Sequence, residues 1–111
     1  RRITLKVKNI EELNSTVRDD GLIMTDIFKH KDLGVQIGMA VFPPHAQVIP
    51  ATHEEHEYSY IIEGSIKVTA ENGQFRVSKG MMCNIAAGEL HGVVNDNDNE
   101  CRLIWVFIDD K

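Results

Sequence analysis

Short apolar runs, many alternating with polar residues and separated by glycine, proline, asparagine or aspartate, occupy most of this chain. A period of two is what a strand shows when one of its faces is buried. Ile3, Leu5 and Val7 alternate with polar neighbours and predict a first strand. Asn9 is placed to cap one short helical turn through Glu12 or Leu13, with acids favourably set in its first turn. Asp19-Asp20-Gly21 turns into extended residues 22–28, and Lys31 to Gly34 separates these from 35–42, where Val35, Ile37, Met39 and Val41 share a face. Pro43 and Pro44 end that strand, and Pro50 marks another bend. Tyr58 to Glu63, Ser65 to Ala70 and Gln74 to Ser78 follow, the last two joined through Asn72-Gly73, the strongest short hairpin signal. Ala87-Gly88-Glu89 divides Met81 to Ala86 from His91 to Val94. After the polar run Asn95 to Asn99, residues 101–108 form an almost unbroken apolar strand, expected to be covered on both faces.

Many short strands with almost no helix predict an all-β fold, an antiparallel β-barrel or sandwich. The 111 residues are expected to form one domain, 1–111. In the last strand Leu103, Trp105 and Phe107 oppose Ile104, Val106 and Ile108, more apolar surface than one core face needs. That excess predicts a homodimer contact or a second packed sheet.

Composition narrows the partners. Hydrophobic residues make up 42% and charged residues 26% of the chain, ordinary values for a soluble globular protein. A net charge of −5 argues against nucleic acid or an anionic membrane as partner, since both call for basic patches. No stretch approaches the roughly 20 apolar residues of a membrane span. Cys83 and Cys101 lie within or beside apolar runs and no secretory segment is recognisable, so free buried thiols in the cytoplasm are expected over a disulfide.

The candidate chemistry is concentrated between His53 and Gly64, where two imidazoles and four carboxylates fall within twelve residues. In an extended strand His53, Glu55 and Glu57 point one way while Glu54 and His56 point the other. Imidazole nitrogen and carboxylate oxygen suit a divalent transition metal: iron, manganese, nickel or zinc. An acidic surface strand carrying two solvated histidines has the same pattern. A second spacing follows from Gly80: five residues, Ala86-x-Gly88, two residues, His91, three residues, Asn95. It describes a strand, a tight glycine turn and a histidine opening the next strand.

Together the two segments resemble the cupin superfamily of small β-barrels. Its second motif, Gly-(x)5-Pro-x-Gly-(x)2-His-(x)3-Asn, is met by Gly80, Gly88, His91 and Asn95, with Ala86 in place of the proline. In its first motif, Gly-(x)5-His-x-His-(x)3–4-Glu-(x)6-Gly, the second histidine, the glutamate and the closing glycine fall on His53, Glu57 and Gly64. The resemblance covers roughly residues 35–108 and implies an antiparallel jelly roll whose motifs occupy about 45–64 and 80–95. It also implies a metal held by His53, Glu57 and His91. Ala51 stands where the family has its first histidine, and His45 where the motif has its opening glycine. A fourth donor would then come from His56, if a bulge re-aims it, from His45, or from Glu55.

The family includes enzymes of several kinds and plain ligand-sensing domains, so the fold does not choose the reaction. The expectation is a metal-dependent enzyme acting on a small polar molecule, such as a carboxylate, sugar acid or enolisable carbonyl compound, with Glu57 or Glu55 moving a proton. The alternative is a non-catalytic small-ligand module that needs no metal. Ser59, in phase with Glu57, should face inward, with Tyr58 and Tyr60 outward. Cys83 is either a pocket wall residue or an inert buried thiol, and Asn95 is expected to fix a turn.

Overall fold

The computed structural model describes residues 4–109. Ten strands follow a 3-10 turn at Ile10–Glu12, with a second 3-10 turn at Lys31–Leu33 between the second and third: β1 (Thr16–Val17), β2 (Ile23–His30), β3 (Val35–Phe42), β4 (Gln47–Ala51), β5 (His56–Glu63), β6 (Ser65–Ala70), β7 (Gly73–Ser78), β8 (Met82–Ile85), β9 (His91–Val94) and β10 (Cys101–Ile108). They form a six-stranded sheet in the order β1-β2-β3-β10-β5-β8 and a four-stranded sheet in the order β4-β9-β6-β7. Every pairing is antiparallel. This is the all-β fold expected from the strand pattern, in the jelly-roll form that the family resemblance implied. No helix among the described residues is long and apolar enough to cross a membrane.

The core lies between the sheets. The larger sheet contributes Ala40, Phe42, Ile61, Leu103 and Trp105, and the smaller one Ile66, Val68 and Val77. Alternation holds on β5, where Ser59 and Ile61 are buried while Tyr58, Tyr60 and Ile62 are exposed. On β10, Leu103 and Trp105 are buried and Ile104 and Val106 half-buried. These two stand opposite Tyr60 and Tyr58 on β5 and Met39 and Ile37 on β3, so an apolar row runs across the outward face. Gly38 is required by close approach: a Cβ there would lie 2.2 Å from Cζ2 of Trp105 and 2.7 Å from the carbonyl oxygen of Thr25.

Asn9 caps the 3-10 turn as expected, its side chain accepting from the Glu11 N–H at 3.1 Å. The predicted first strand does not form among residues 4–9, and Ile3 lies outside the described residues. Alternation records side-chain preference, but a strand also needs a pairing partner. Here Leu5 and Val7 are exposed, and the segment is held instead by Lys8, which donates to the Ile27 carbonyl and lies over the Phe28 ring. Gln47–Ala51, expected only to bend at Pro50, is a strand. It is an edge strand with irregular register between Val48 and Ala51, where a proline without an N–H is tolerated. The β6–β7 turn is centred one residue earlier than the Asn-Gly pair suggests: Ala70 faces Gly73, leaving Glu71 and Asn72 as the loop.

Both cysteines are free thiols, Cys101 buried and Cys83 partly so. Asn95 is completely buried. Its Nδ2 lies 2.9–3.1 Å from the carbonyl oxygens of Phe42, Pro43 and Asn99, and its Oδ1 accepts from the Asn97 N–H. That network ties the loop before β10 to the end of β3, the turn-fixing role its position suggested.

Candidate metal centre

Three elements from the two sheets meet at one end of the core. Glu57 is the second residue of β5, placed by pairing with Phe107 of β10 on one side and Ile85 of β8 on the other. His91 opens β9 in the smaller sheet, opposite Ala51 of β4. The turn before it carries Gly88 at φ +79°, a left-handed position that glycine adopts without strain. His53 lies in the connection between β4 and β5, and its carbonyl accepts from the Gly88 N–H at 2.9 Å. That bond ties the two motif segments together. The expectation that His53 and Glu57 share one strand face is corrected: β5 begins only at His56, and a bend at Glu54 and Glu55 brings His53 round to Glu57.

One donor atom from each of His53, Glu57 and His91 lies within 4.8 Å of the others. His53 Nε2 is 3.2 Å and His91 Nε2 3.9 Å from the same oxygen, Oε1 of Glu57. The two imidazoles meet edge to face with centroids 4.9 Å apart, and Phe107 stacks on His53 at 4.8 Å. The Ser59 hydroxyl donates to the other carboxylate oxygen, Oε2, at 2.8 Å. All three side chains are largely buried, at 25%, 17% and 11% exposed for His53, Glu57 and His91.

The remaining ring nitrogens decide what this cluster can do. His53 Nδ1 lies 2.9 Å from the carbonyl oxygen of Glu55, and His91 Nδ1 2.9 Å from that of Glu89. A carbonyl can only accept, so each Nδ1 carries a proton. In the neutral rings both Nε2 atoms then present lone pairs toward a carboxylate oxygen. Three electron-rich atoms facing one another are satisfied by a cation between them or by a proton on one of the rings. First-shell bonds of about 2 Å place donors roughly 3 Å apart, so closing the widest pair by about 2 Å would seat one ion. The cluster could hold a metal, and backbone carbonyls orient both rings as outer partners do at metal-binding histidines.

The triad forms part of the wall of a cavity of about 210 Å³. Most of that wall is apolar, including Leu22, Phe42, Val48, Ile66, Val93 and Leu103, with Ser59 and Cys83 beside the triad and Arg18 elsewhere on the rim. Burial, aided by the nearby Glu57 charge, pushes the Cys83 thiol up to about 11, against a smaller opposite effect of a backbone hydrogen bond at Ser59. Cys83 is therefore a neutral wall residue at physiological pH.

The other candidate donors are placed elsewhere. His56 accepts from the Ala87 N–H through Nδ1 at 3.2 Å and is not part of the triad. His45 sits on an exposed turn at φ +64°, paired with Asp98 at 2.8 Å. Glu55 Oε1 is 3.8 Å from Nδ1 of His53, the ring edge away from Glu57. Ala51 lines the cavity with no donor to offer. Sequence reasoning did not find the Glu55 and Glu89 carbonyls, Phe107 or Arg18. Backbone carbonyls carry no residue signature, and Arg18 lies far from both motifs along the chain.

The sequence profile of the cupin domain matches residues 38–107. A comparison with curated proteins finds no match. Among solved structures, a predicted oxalate decarboxylase from Thermotoga maritima is similar at TM-score 0.85 and 18% identity, covering 93% of this chain and 98% of that one. An RmlC-like cupin from Shewanella frigidimarina gives 0.82 at 18% identity, covering 97% and 94%. The polyketide cyclase RemF from Streptomyces resistomycificus gives 0.81 at 18% identity, covering 95% and 80%. At these identities the likeness is one of fold.

Proposed function

The chain belongs to the cupin domain family, and we propose that its cavity is a metal-dependent catalytic pocket for a small polar molecule. His53, Glu57 and His91 hold one divalent transition ion in this reading. The observation that carries it is the pair of Nε2 lone pairs, fixed by the Glu55 and Glu89 carbonyls, directed at one oxygen of Glu57. A bound iron, manganese, nickel or zinc ion would supply Lewis acidity toward an oxygen of the ligand. The protein's own part is positional. The two carbonyls and the Phe107 ring lock the imidazoles, Ser59 holds Oε2 of Glu57, and a mainly apolar wall surrounds them. Oε2 is the carboxylate atom free of the imidazoles and is the one we assign to proton transfer. Glu55, behind His53, and His56, bonded at Ala87, take no ligand role. Three ligands with none at Ala51 leave coordination positions for the molecule being transformed.

The test is metal content of the purified protein after growth with iron, manganese, nickel and zinc, for the parent and His91→Ala. About one ion per chain in the parent, lost in the variant, is expected. No metal in either sinks the assignment. A second reading has its own support. If His53 were protonated, its Nε2–H would satisfy Glu57 at 3.2 Å without an ion, leaving a mainly apolar cavity for non-catalytic ligand binding. Metal-free protein that still binds carboxylic acids would favour it.

A further inference from the structure

Arg18 is the only guanidinium or ammonium group on the cavity wall among the described residues. It arrives from the side of the sheet remote from Glu57, just after β1, with β2, β3 and β10 between β1 and β5. The loop presenting it is closed on itself. Arg18 N–H donates to the Leu22 carbonyl and Gly21 N–H to the Arg18 carbonyl, each at 2.9 Å. Asp20 accepts from the Arg18 guanidinium through Oδ2 and from the Leu22 N–H through Oδ1. Leu22 is 2% exposed and lines the same cavity, so the tether holding the guanidinium is anchored in the core.

Charge adds to the geometry. The chain carries net −5, yet the cavity wall holds a single carboxylate, Glu57, set against Arg18 and two histidines. With an ion on the triad, that end of an otherwise apolar chamber would be positive, while the far end offers the N–H donors of a guanidinium whose charge is shared with Asp20. A chelating anion at one end of an apolar spacer and a hydrogen-bond-accepting carboxylate at the other match that distribution. One Nη of Arg18 is engaged by Asp20, which leaves the other N–H donors of the fork for a ligand.

We propose that Arg18 is a specificity-determining residue that binds a carboxylate at the end of the ligand remote from the triad. This rests on the metal reading above and sharpens its substrate class to dianionic molecules with an apolar spacer. The competing account is an arginine stem that merely covers apolar surface while its head stays in water.

The experiment is calorimetric titration of the metal-loaded protein with matched α-hydroxy acids. The pairs are 2-hydroxyglutarate with 2-hydroxypentanoate, 2-hydroxyadipate with 2-hydroxyhexanoate, and 2-hydroxypimelate with 2-hydroxyheptanoate. Each pair shares a chelating end and differs only in the terminal carboxylate. At the length that spans the chamber the diacid is expected to bind about fivefold tighter, a value suited to a half-exposed ion pair. Arg18→Gln should abolish that preference while leaving the monoacid affinity within about twofold. Equal affinities at every length in the parent, or a preference that survives Arg18→Gln, overturns the role of Arg18 alone. Failure of every acid to bind a protein that contains its metal removes the catalytic-pocket reading and this inference with it.

Discussion

Gly38 meets the indole of Trp105 at a distance that leaves no room for a methyl group. A Cβ there would fall 2.2 Å from Cζ2, 2.6 Å from Cε2 and 2.7 Å from the Thr25 carbonyl oxygen. Non-bonded carbons settle at about 3.5–4.0 Å, so in Gly38→Ala the indole must retreat by roughly 1.5 Å. It has little freedom to do so. Its backbone is paired on both sides, with β3 and β5, and its ring packs on Phe107 at 4.9 Å, which stacks on His53 at 4.8 Å. Overpacking of a filled core costs about 1–3 kcal/mol. The upper end, about 3 kcal/mol, is expected because one clashing atom belongs to the backbone and cannot rotate away. Urea unfolding followed by far-ultraviolet circular dichroism, which reads the parent and every variant alike, measures this, with an unchanged slope on denaturant showing that the folded state stays compact. Adding Trp105→Phe should recover part of the loss, since it removes both clashing indole carbons and gives up no hydrogen bond: Nε1 is buried without a partner. A loss below about 0.5 kcal/mol, the range of neutral surface changes, would refute the claim that this contact is closed. So would strict additivity in the double variant.

Two further outcomes follow from buried groups. Asn95→Ala strips the shared donor from three carbonyls and the acceptor from Asn97, and should cost about 2–3 kcal/mol in urea unfolding; a near-neutral result would show that water replaces the network. The Cys101 thiol is pushed by burial from its ordinary 9.0 up to about 11. A raised value in the folded state means that its contribution is complete below pH 9 and is lost as pH rises through about 11, because the unfolded chain ionises first. Stability should therefore decline across that window, and less steeply in Cys101→Ala; identical slopes for the two proteins would exclude the thiol as the cause.

Much of the architecture is local and could be read along the chain. Strands 35–42, 65–70, 91–94 and 101–108 end where turn residues say they should, because a period-two pattern bounded by glycine, proline or asparagine has few alternatives. The inward Ser59 and outward Tyr58 and Tyr60 follow from the same pleat. Residues 4–9 show the limit of that logic, since alternation cannot supply a neighbouring strand.

For the site, it was the resemblance of two segments to the cupin motifs that singled out His53, Glu57 and His91, while the residues alone left an acidic surface strand as an equal reading. Their arrangement required the tertiary structure. His53 reaches Glu57 through a bend and not along a strand, and His91 comes from the facing sheet. The proton positions on both rings depend on carbonyls of Glu55 and Glu89 that any residue would possess. Arg18, 35 positions before His53, joins the same cavity only because β1 and β5 belong to one curved sheet. Residue type and period are properties of the chain. Convergence of donors, burial and shared walls arise only when the two sheets close on each other.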